Sequence, residues 1–282
     1  MTVDAKPNPV RPVLSPLMIR ILSGGVILLA LIGLLLLQRP GIYLLVVIVG
    51  GLALWEFRLL SDKMGFRAPS WLIFPLGAYL AFRGTLFQNI DVKLILSIAL
   101  VGGLAAFLFL PERRGGLGRW AMGLAGAMYI GIPLSYYLQI YADSPGRGFA
   151  WLLFVILAVA VSDAAALLVG RAIGRTPFFS DISPNKTLEG AIAGVLLCVP
   201  VILIGAVAGL EISPVHAVVL GLLIGLSAEA GDLVESQMKR VAGVKDSSNL
   251  IPGHGGVLDR VDSVLFPAVV VFLYAHFMGL LG

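Results

Sequence analysis

The stretch KRVAGVKDSSNLIPGHGGVLDRVDS, residues 239–263, gathers cations, aspartates, a histidine and the glycines Gly253, Gly255 and Gly256 in a single run. Apolar segments flank it at roughly 215–238 and 258–280, each of the length an α-helix needs to cross about 30 Å of hydrocarbon. Such a polar segment between two such runs belongs where it can reach water, so the region reads as two membrane helices joined by a surface loop.

The rest of the chain repeats the pattern. Of its 282 residues 59% are hydrophobic and only 13% charged, with a mean hydropathy of +0.98, which is too apolar for a soluble domain. The ten-residue alternation of an outer-membrane barrel is missing. Further apolar runs at about 17–37, 41–60, 70–89, 93–110, 119–141, 149–169 and 188–209 bring the expected spans to nine, with Arg83 interrupting the third. No small-residue cleavage site follows the first run, so it is read as a helix and not as a signal peptide. The expected class is all-α and polytopic. A polar tail covers 1–16, membrane helices fill 17–145, and a second membrane region, 146–282, carries the polar motifs.

Sidedness follows from the cations. With the N-terminus in the cytoplasm, 16 of the 20 Lys and Arg side chains fall on the cytoplasmic side, and only Arg39, Arg83, Lys93 and Arg147 on the other. The polar loops 170–187 and 239–257 then both face the cytoplasm from a multi-pass cell (inner) membrane protein. The net charge of +4 is explained by these loops and by anionic headgroups, with no need for nucleic acid. Cys198, the one cysteine, permits no intramolecular disulfide and reads as a packing residue. Spacings such as Gly221 and Gly225 suit close helix contact. His216 and His276, near span ends, receive no function.

Chemistry concentrates in two places. In GLSAEAGDLVESQMKR (225–240), Glu229, Asp232, Glu235, Ser236 and Lys239 fall on one face of a helix, and a face of carboxylates at membrane depth calls for cations. Just beyond, LDRVDS places Asp259, Asp262 and Ser263 at the start of the next helix. Where these two helices meet, Asp232 and Asp259 can converge on a hard divalent ion such as Mg²⁺, with Asp262 and Glu235 as further oxygen donors. Between them, PGHGG leaves backbone amides open to phosphate oxygens, while Lys239, Arg240, Lys245 and Arg260 supply positive charge. In the other loop, SPNKTLEG (183–190) offers Lys186 either as an anchor or as a phosphate ligand, and Thr187 as a helix cap. Lys239 and Arg240 also suit interfacial anchoring, Glu229 suits charge pairing, and Asp163 is a site candidate because an acid inside an apolar span is costly.

At this point a resemblance becomes specific. SQMKRVAGVKDSSNLIPGHGGVLDRVDS, residues 236–263, resembles the signature of the CDP-diacylglycerol synthases, or phosphatidate cytidylyltransferases. That pattern is Ser, two residues, Lys-Arg, four residues, Lys-Asp, then His-Gly-Gly, two residues, Asp-Arg, one residue, Asp, and each fixed position is filled. SPNKTLEG is similar to a second element of that family. SDAAALLVGRAIGR (162–175) departs from the usual Ser-Asp-Thr-Gly-Ala-Tyr: Asp163 is kept, but Ala164, Ala165 and Leu167 replace polar or small positions. The resemblance covers roughly 160–270.

It implies an enzyme joining CTP to phosphatidic acid with Mg²⁺, and makes a homodimer plausible. Asp232, Asp259, Lys239 and Arg260 are then expected to be catalytic, with Asp232, Asp259, Asp262 and Glu235 facing metal. Lys186, Arg240, Lys245, His254, Gly255 and Gly256 are expected to face substrate. A second cation such as K⁺ is left open, as are two other functions, a cation-coupled transporter and a CTP-dependent enzyme acting on another lipid.

Overall fold

In a bilayer, backbone N–H and C=O groups find no water, so each segment satisfies them internally and the chain becomes helical. The computed structural model describes residues 16–109 and 115–282. Among these the only extended pairings are two isolated bridges, Pro177 with Thr187 and Ile251 with Gly255. The helices are α1 Pro16–Leu36, α2 Arg39–Lys63, α3 Ser70–Phe82, α4 Val92–Phe109, α5 Gly116–Ala142, α6 Gly148–Ile173, α7 Leu188–Leu210, α8 Pro214–Val241 and α9 Leu258–Phe277. Single π-helical turns interrupt α4 at Ile98–Gly102 and end α7 at Ala206–Leu210. The expected tail lies outside the described residues, apart from Pro16, which opens α1.

Among the described residues six helices, α2 and α4 to α8, are long and apolar enough to cross a membrane. This marks a membrane protein. The third expected span needs correcting. Instead of filling 70–89, α3 stops at Phe82 after 13 residues, about 20 Å of rise. At its end the Phe82 carbonyl accepts from the amides of Thr85, Leu86 and Phe87, and the chain folds into turns around Gly84, which lies against the Gln139 side chain. α9 has 20 residues, but Asp259, Arg260 and Asp262 sit in its first turns.

α2, α3 and α5 form one packed group. A second runs α6, α7, α8, α9 in sequence, and α9 closes back on α5, where Tyr137 Oη donates to Val264 O at 2.8 Å. Gly221 and Gly225 do let helices touch: a Cβ there would lie 2.6 Å from the Cα atoms of Val199 and Val195 on α7. Cys198 is buried in this packing. His216 bonds the Tyr274 hydroxyl at 2.9 Å and His276 stacks on Phe272, both within the helical scaffold.

The alternating course of the helices brings both polar loops to one end. There Arg240 on α8 donates its Nε to Ile182 O of the other loop at 2.9 Å. At the opposite end Arg147 ties the chain together by donating to Leu210 O at 3.0 Å and Gly282 O at 3.3 Å.

Candidate functional site

Each loop is shaped by its own local bonds before it meets the helices. In the first, Phe178 N donates to Lys186 O at 3.0 Å and Leu188 N to Thr176 O at 2.9 Å, a short ladder that fixes the backbone at Lys186. Thr187 caps α7 by accepting from Gly190 N at 3.2 Å, as expected. Glu189 accepts from the Arg175 and Thr176 amides at 3.1 Å, binding the start of the loop to its end.

So held, Lys186 reaches α8. Its Nζ lies 2.7 Å from Glu229 Oε2 and 2.7 Å from Asp232 Oδ2. Partial burial works against the ammonium, but Asp232 and Glu229 outweigh it and raise its pKa above the usual lysine value. The remaining Asp232 oxygen accepts from Ser236 Oγ at 3.3 Å.

The second loop is organised by two carboxylates. Ile251 N donates to Gly255 O at 2.8 Å, closing the PGHGG turn, with Gly253 and Gly255 at φ +77° and +85°. Asp259, in the first turn of α9, accepts from Ser247 N at 2.9 Å, Ser247 Oγ at 2.8 Å and Gly256 N at 2.8 Å on Oδ2, while Lys239 Nζ stands 2.7 Å from Oδ1. Four donors match the roughly four acceptor positions of a carboxylate. Lys239 also pairs with buried Glu235 one turn back on α8. Arg260 folds over the turn and donates to His254 O at 2.7 Å, while His254 Nδ1 lies 3.0 Å from Ser23 Oγ on α1.

Sequence reasoning passed over the second organiser. Glu56, on α2 in the N-terminal half, is fully buried, and its carboxylate accepts from Ser248 Oγ at 2.6 Å, Val257 N at 2.9 Å and Leu258 N at 2.6 Å. It thereby caps α9 from another helix, placing negative charge at a helix N-terminus. Ser247 Oγ is within reach too, at 3.1 Å, so that hydroxyl can serve either Glu56 or Asp259. Gly256 passes so close that a Cβ would lie 2.6 Å from both Glu56 oxygens. The legible signal was the acid inside the apolar run LALWEFRLL (52–60).

Between the loops opens a cavity of about 370 Å³, a size usual for a small-molecule site. Asp163, Lys186, Glu229, Asp232, Asp259, Arg260 and Asp262 all line it. Asp262 Oδ1 accepts from Ser263 N at 2.7 Å. The expected face of α8 is thus divided: Glu229 and Asp232 face the cavity with Lys186, whereas Glu235 lies behind with Lys239. Arg240 and Lys245 are exposed at the rim side of the loops and do not line the cavity. His254, Gly255 and Gly256 form the adjoining turn. Among the described residues, no group of three or more His, Cys, Asp or Glu side chains is placed to hold a metal ion by itself.

A helical membrane protein with acids, cations and a glycine turn converging at one end can neutralise and orient a phosphate-bearing ligand at the membrane surface. The chain belongs to the cytidylyltransferase family, whose model matches residues 18–278. It is 42% identical over 154 residues to a phosphatidate cytidylyltransferase of Helicobacter pylori, covering 54% of this chain and 55% of that one. Against the Bacillus subtilis protein of the same name it is 38% identical over 149 residues, covering 52% and 54%. Against that of Synechocystis it is 38% identical over 200 residues, covering 70% and 66%. The matched region spans about half the length of the Helicobacter and Bacillus relatives.

Proposed function

We propose that this chain is a phosphatidate cytidylyltransferase, condensing CTP with phosphatidic acid to give CDP-diacylglycerol and pyrophosphate for phospholipid biosynthesis. One juxtaposition supports the reading most. Lys186 from one loop and Arg260 beside the other meet Asp232 and Asp262 at a cavity on the polar end of the bundle, in a chain of the cytidylyltransferase family. A transporter has no need of a glycine turn and paired basic loops gathered at one end.

An ionised oxygen of the lipid phosphate attacks the α-phosphorus of CTP. The bond from that phosphorus to the bridging oxygen of the β-phosphate breaks, and its electron pair leaves with pyrophosphate. A phosphate monoester is already anionic near neutral pH, so no general base is required, and the work left to the protein is to offset charge and hold attacking and leaving oxygens in line. Lys186 and Arg260 offset charge in the cavity. Lys239 holds Asp259 from behind, and Asp259 holds the Ser247 and Gly256 amides, which fixes the turn carrying Gly255 and His254 beside the phosphates. Arg240 and Lys245 draw anionic ligands toward the loop mouth.

Magnesium fits these residues. It is a hard ion that takes oxygen ligands, keeps several waters, and binds through one or two carboxylates plus substrate phosphates, so it needs no closed protein cage. Asp232 would hold it, with Asp262 alongside. Asp259 would join when Ser247 turns its hydroxyl to Glu56 and frees an acceptor position, and Glu235 would act from behind through Lys239. When bound, the ion supplies Lewis-acid stabilisation of phosphate oxygens. Asp163 leaves a further carboxylate for a second cation such as K⁺.

The proposal includes nine membrane passages, a cytoplasmic N-terminus, a cell-membrane location with both loops in the cytoplasm, and a pair of chains as the working unit. The division into helices 17–145 and a catalytic region 146–282 belongs to it too, with Glu56 as the link between them. The test is pyrophosphate release by the detergent-solubilised protein. Release should require CTP, phosphatidic acid and Mg²⁺ together and be lost in Asp232→Asn. Folded wild-type protein that responds to another lipid acceptor and not to phosphatidic acid would sink the assignment.

A further inference from the structure

Lys186 occupies an unusual position for a phosphate ligand. Its ammonium does not point into open space but sits on the two carboxylates, 2.7 Å from Glu229 Oε2 and 2.7 Å from Asp232 Oδ2, with only 19%, 11% and 30% of the three side chains exposed. The backbone behind it is fixed by the Phe178 and Leu188 bonds, and Lys186 N donates to Ser183 O at 3.1 Å, so only the flexible four-carbon stem can move. Around this triad the cavity carries Asp163, Asp259 and Asp262 against Arg260, an excess of negative charge that repels a bare triphosphate.

A divalent ion at Asp232 and an ammonium on the same carboxylate oxygen exclude each other, by repulsion and by competition for lone pairs. We propose that Lys186 is the resident counter-ion of the Glu229–Asp232 pair, displaced when a metal–nucleotide complex arrives and then transferred to the triphosphate. This deepens the proposed function and rests on its reading of the cavity as a divalent-ion and nucleotide site. Two consequences follow. The free protein discriminates against metal alone, because Lys186 already neutralises the ligands. Metal and nucleotide together succeed, because the phosphates give the displaced ammonium a new partner and one cation site becomes two. Lys186 thereby couples metal entry to nucleotide entry and keeps the carboxylates from holding an ion that has no substrate.

The test is Mn²⁺ binding to the full chain in detergent without nucleotide, read from the paramagnetic resonance signal of the free ion. Removing a unit positive charge from the carboxylate pair should strengthen binding, so Lys186→Met should take up Mn²⁺ at least about tenfold more tightly than wild type. In the same variant the KM for CTP should rise. Lys186→Gln, which keeps hydrogen bonding to the carboxylates, serves if the Met variant does not fold, and should also bind Mn²⁺ more tightly. Lys186→Arg, which retains the charge, should stay at or below wild type. Variants with unchanged or weaker Mn²⁺ binding would overturn the hand-over, even where wild-type protein turns over CTP with phosphatidic acid. Tighter Mn²⁺ binding in a protein that never consumes CTP would keep Lys186 as the counter-ion while removing the cytidylyltransferase reading.

Discussion

Replacing Glu56 by Gln probes how a helix from the N-terminal half holds the signature loop. The carboxylate accepts from Ser248 Oγ and Val257 N on Oε1, and from Leu258 N on Oε2 with Ser247 Oγ in reach. A carboxamide has a single acceptor oxygen. Whichever way it turns, its NH₂ faces the N–H of either Val257 or Leu258 at the start of α9, which is left without its partner at about 1–3 kcal/mol. Loss of negative charge at the helix N-terminus adds about 0.3–1 kcal/mol. The combined effect, about 1.3–4 kcal/mol, corresponds to roughly 10- to 1,000-fold more frequent opening of the loop. Hydrogen exchange resolved at Val257 and Leu258 reads this directly, and amides in α6 and α7 should keep their protection. Unchanged exchange at those two amides in a folded Gln variant would refute the reasoning, because it would mean that the buried carboxylate does not hold the loop.

Gly256→Ala should cost about 1–3 kcal/mol in detergent unfolding, since the new methyl meets the Ser247 hydroxyl first and then both Glu56 oxygens, all of them held in the loop's hydrogen bonds. Lys239→Met leaves the buried Glu235 carboxylate uncompensated and should destabilise by about 3–5 kcal/mol, with much of the loss recovered when Glu235→Gln is added. Because Cys198 is buried, a cysteine placed at exposed Lys245 gives a clean topology probe. An impermeant thiol reagent should label it in inside-out membrane vesicles and not in right-side-out ones; the reverse pattern would contradict the orientation.

Much of this was legible in the sequence, and the reasons differ by residue. The α8 face and the Asp259 turn could be read because helical spacing alone sets which of their side chains share a side. Lys186 could be singled out but not placed, because its partners Glu229 and Asp232 lie 43 and 46 residues away and only the packing of α7 on α8 brings them within reach. Glu56 is the sharper case. An acid in an apolar run is visible in the sequence, but its donors at Ser247, Ser248, Val257 and Leu258 lie about 190 to 200 positions later, beyond any local periodicity. α3 was overextended for the opposite reason. Apolar composition continues past Phe82, while the stop is set by turn bonds to the Phe82 carbonyl and by Gly84 meeting Gln139, neither of which hydropathy records. The acids of α8 likewise share one face in a helical projection, whereas in the structure Glu229 and Asp232 pair with Lys186 of the other loop and Glu235 pairs with Lys239, which also holds Asp259 of α9.

The central claim is that the nucleotidyl group, and not a terminal phosphate, passes to the lipid. Purified protein incubated with phosphatidic acid, Mg²⁺ and CTP labelled in separate reactions at the α- or the γ-phosphate decides it. The account predicts α-label in the lipid phase and γ-label in aqueous pyrophosphate, in equal amounts. Label from the γ-position in the lipid would make the protein a CTP-dependent kinase and contradict the account.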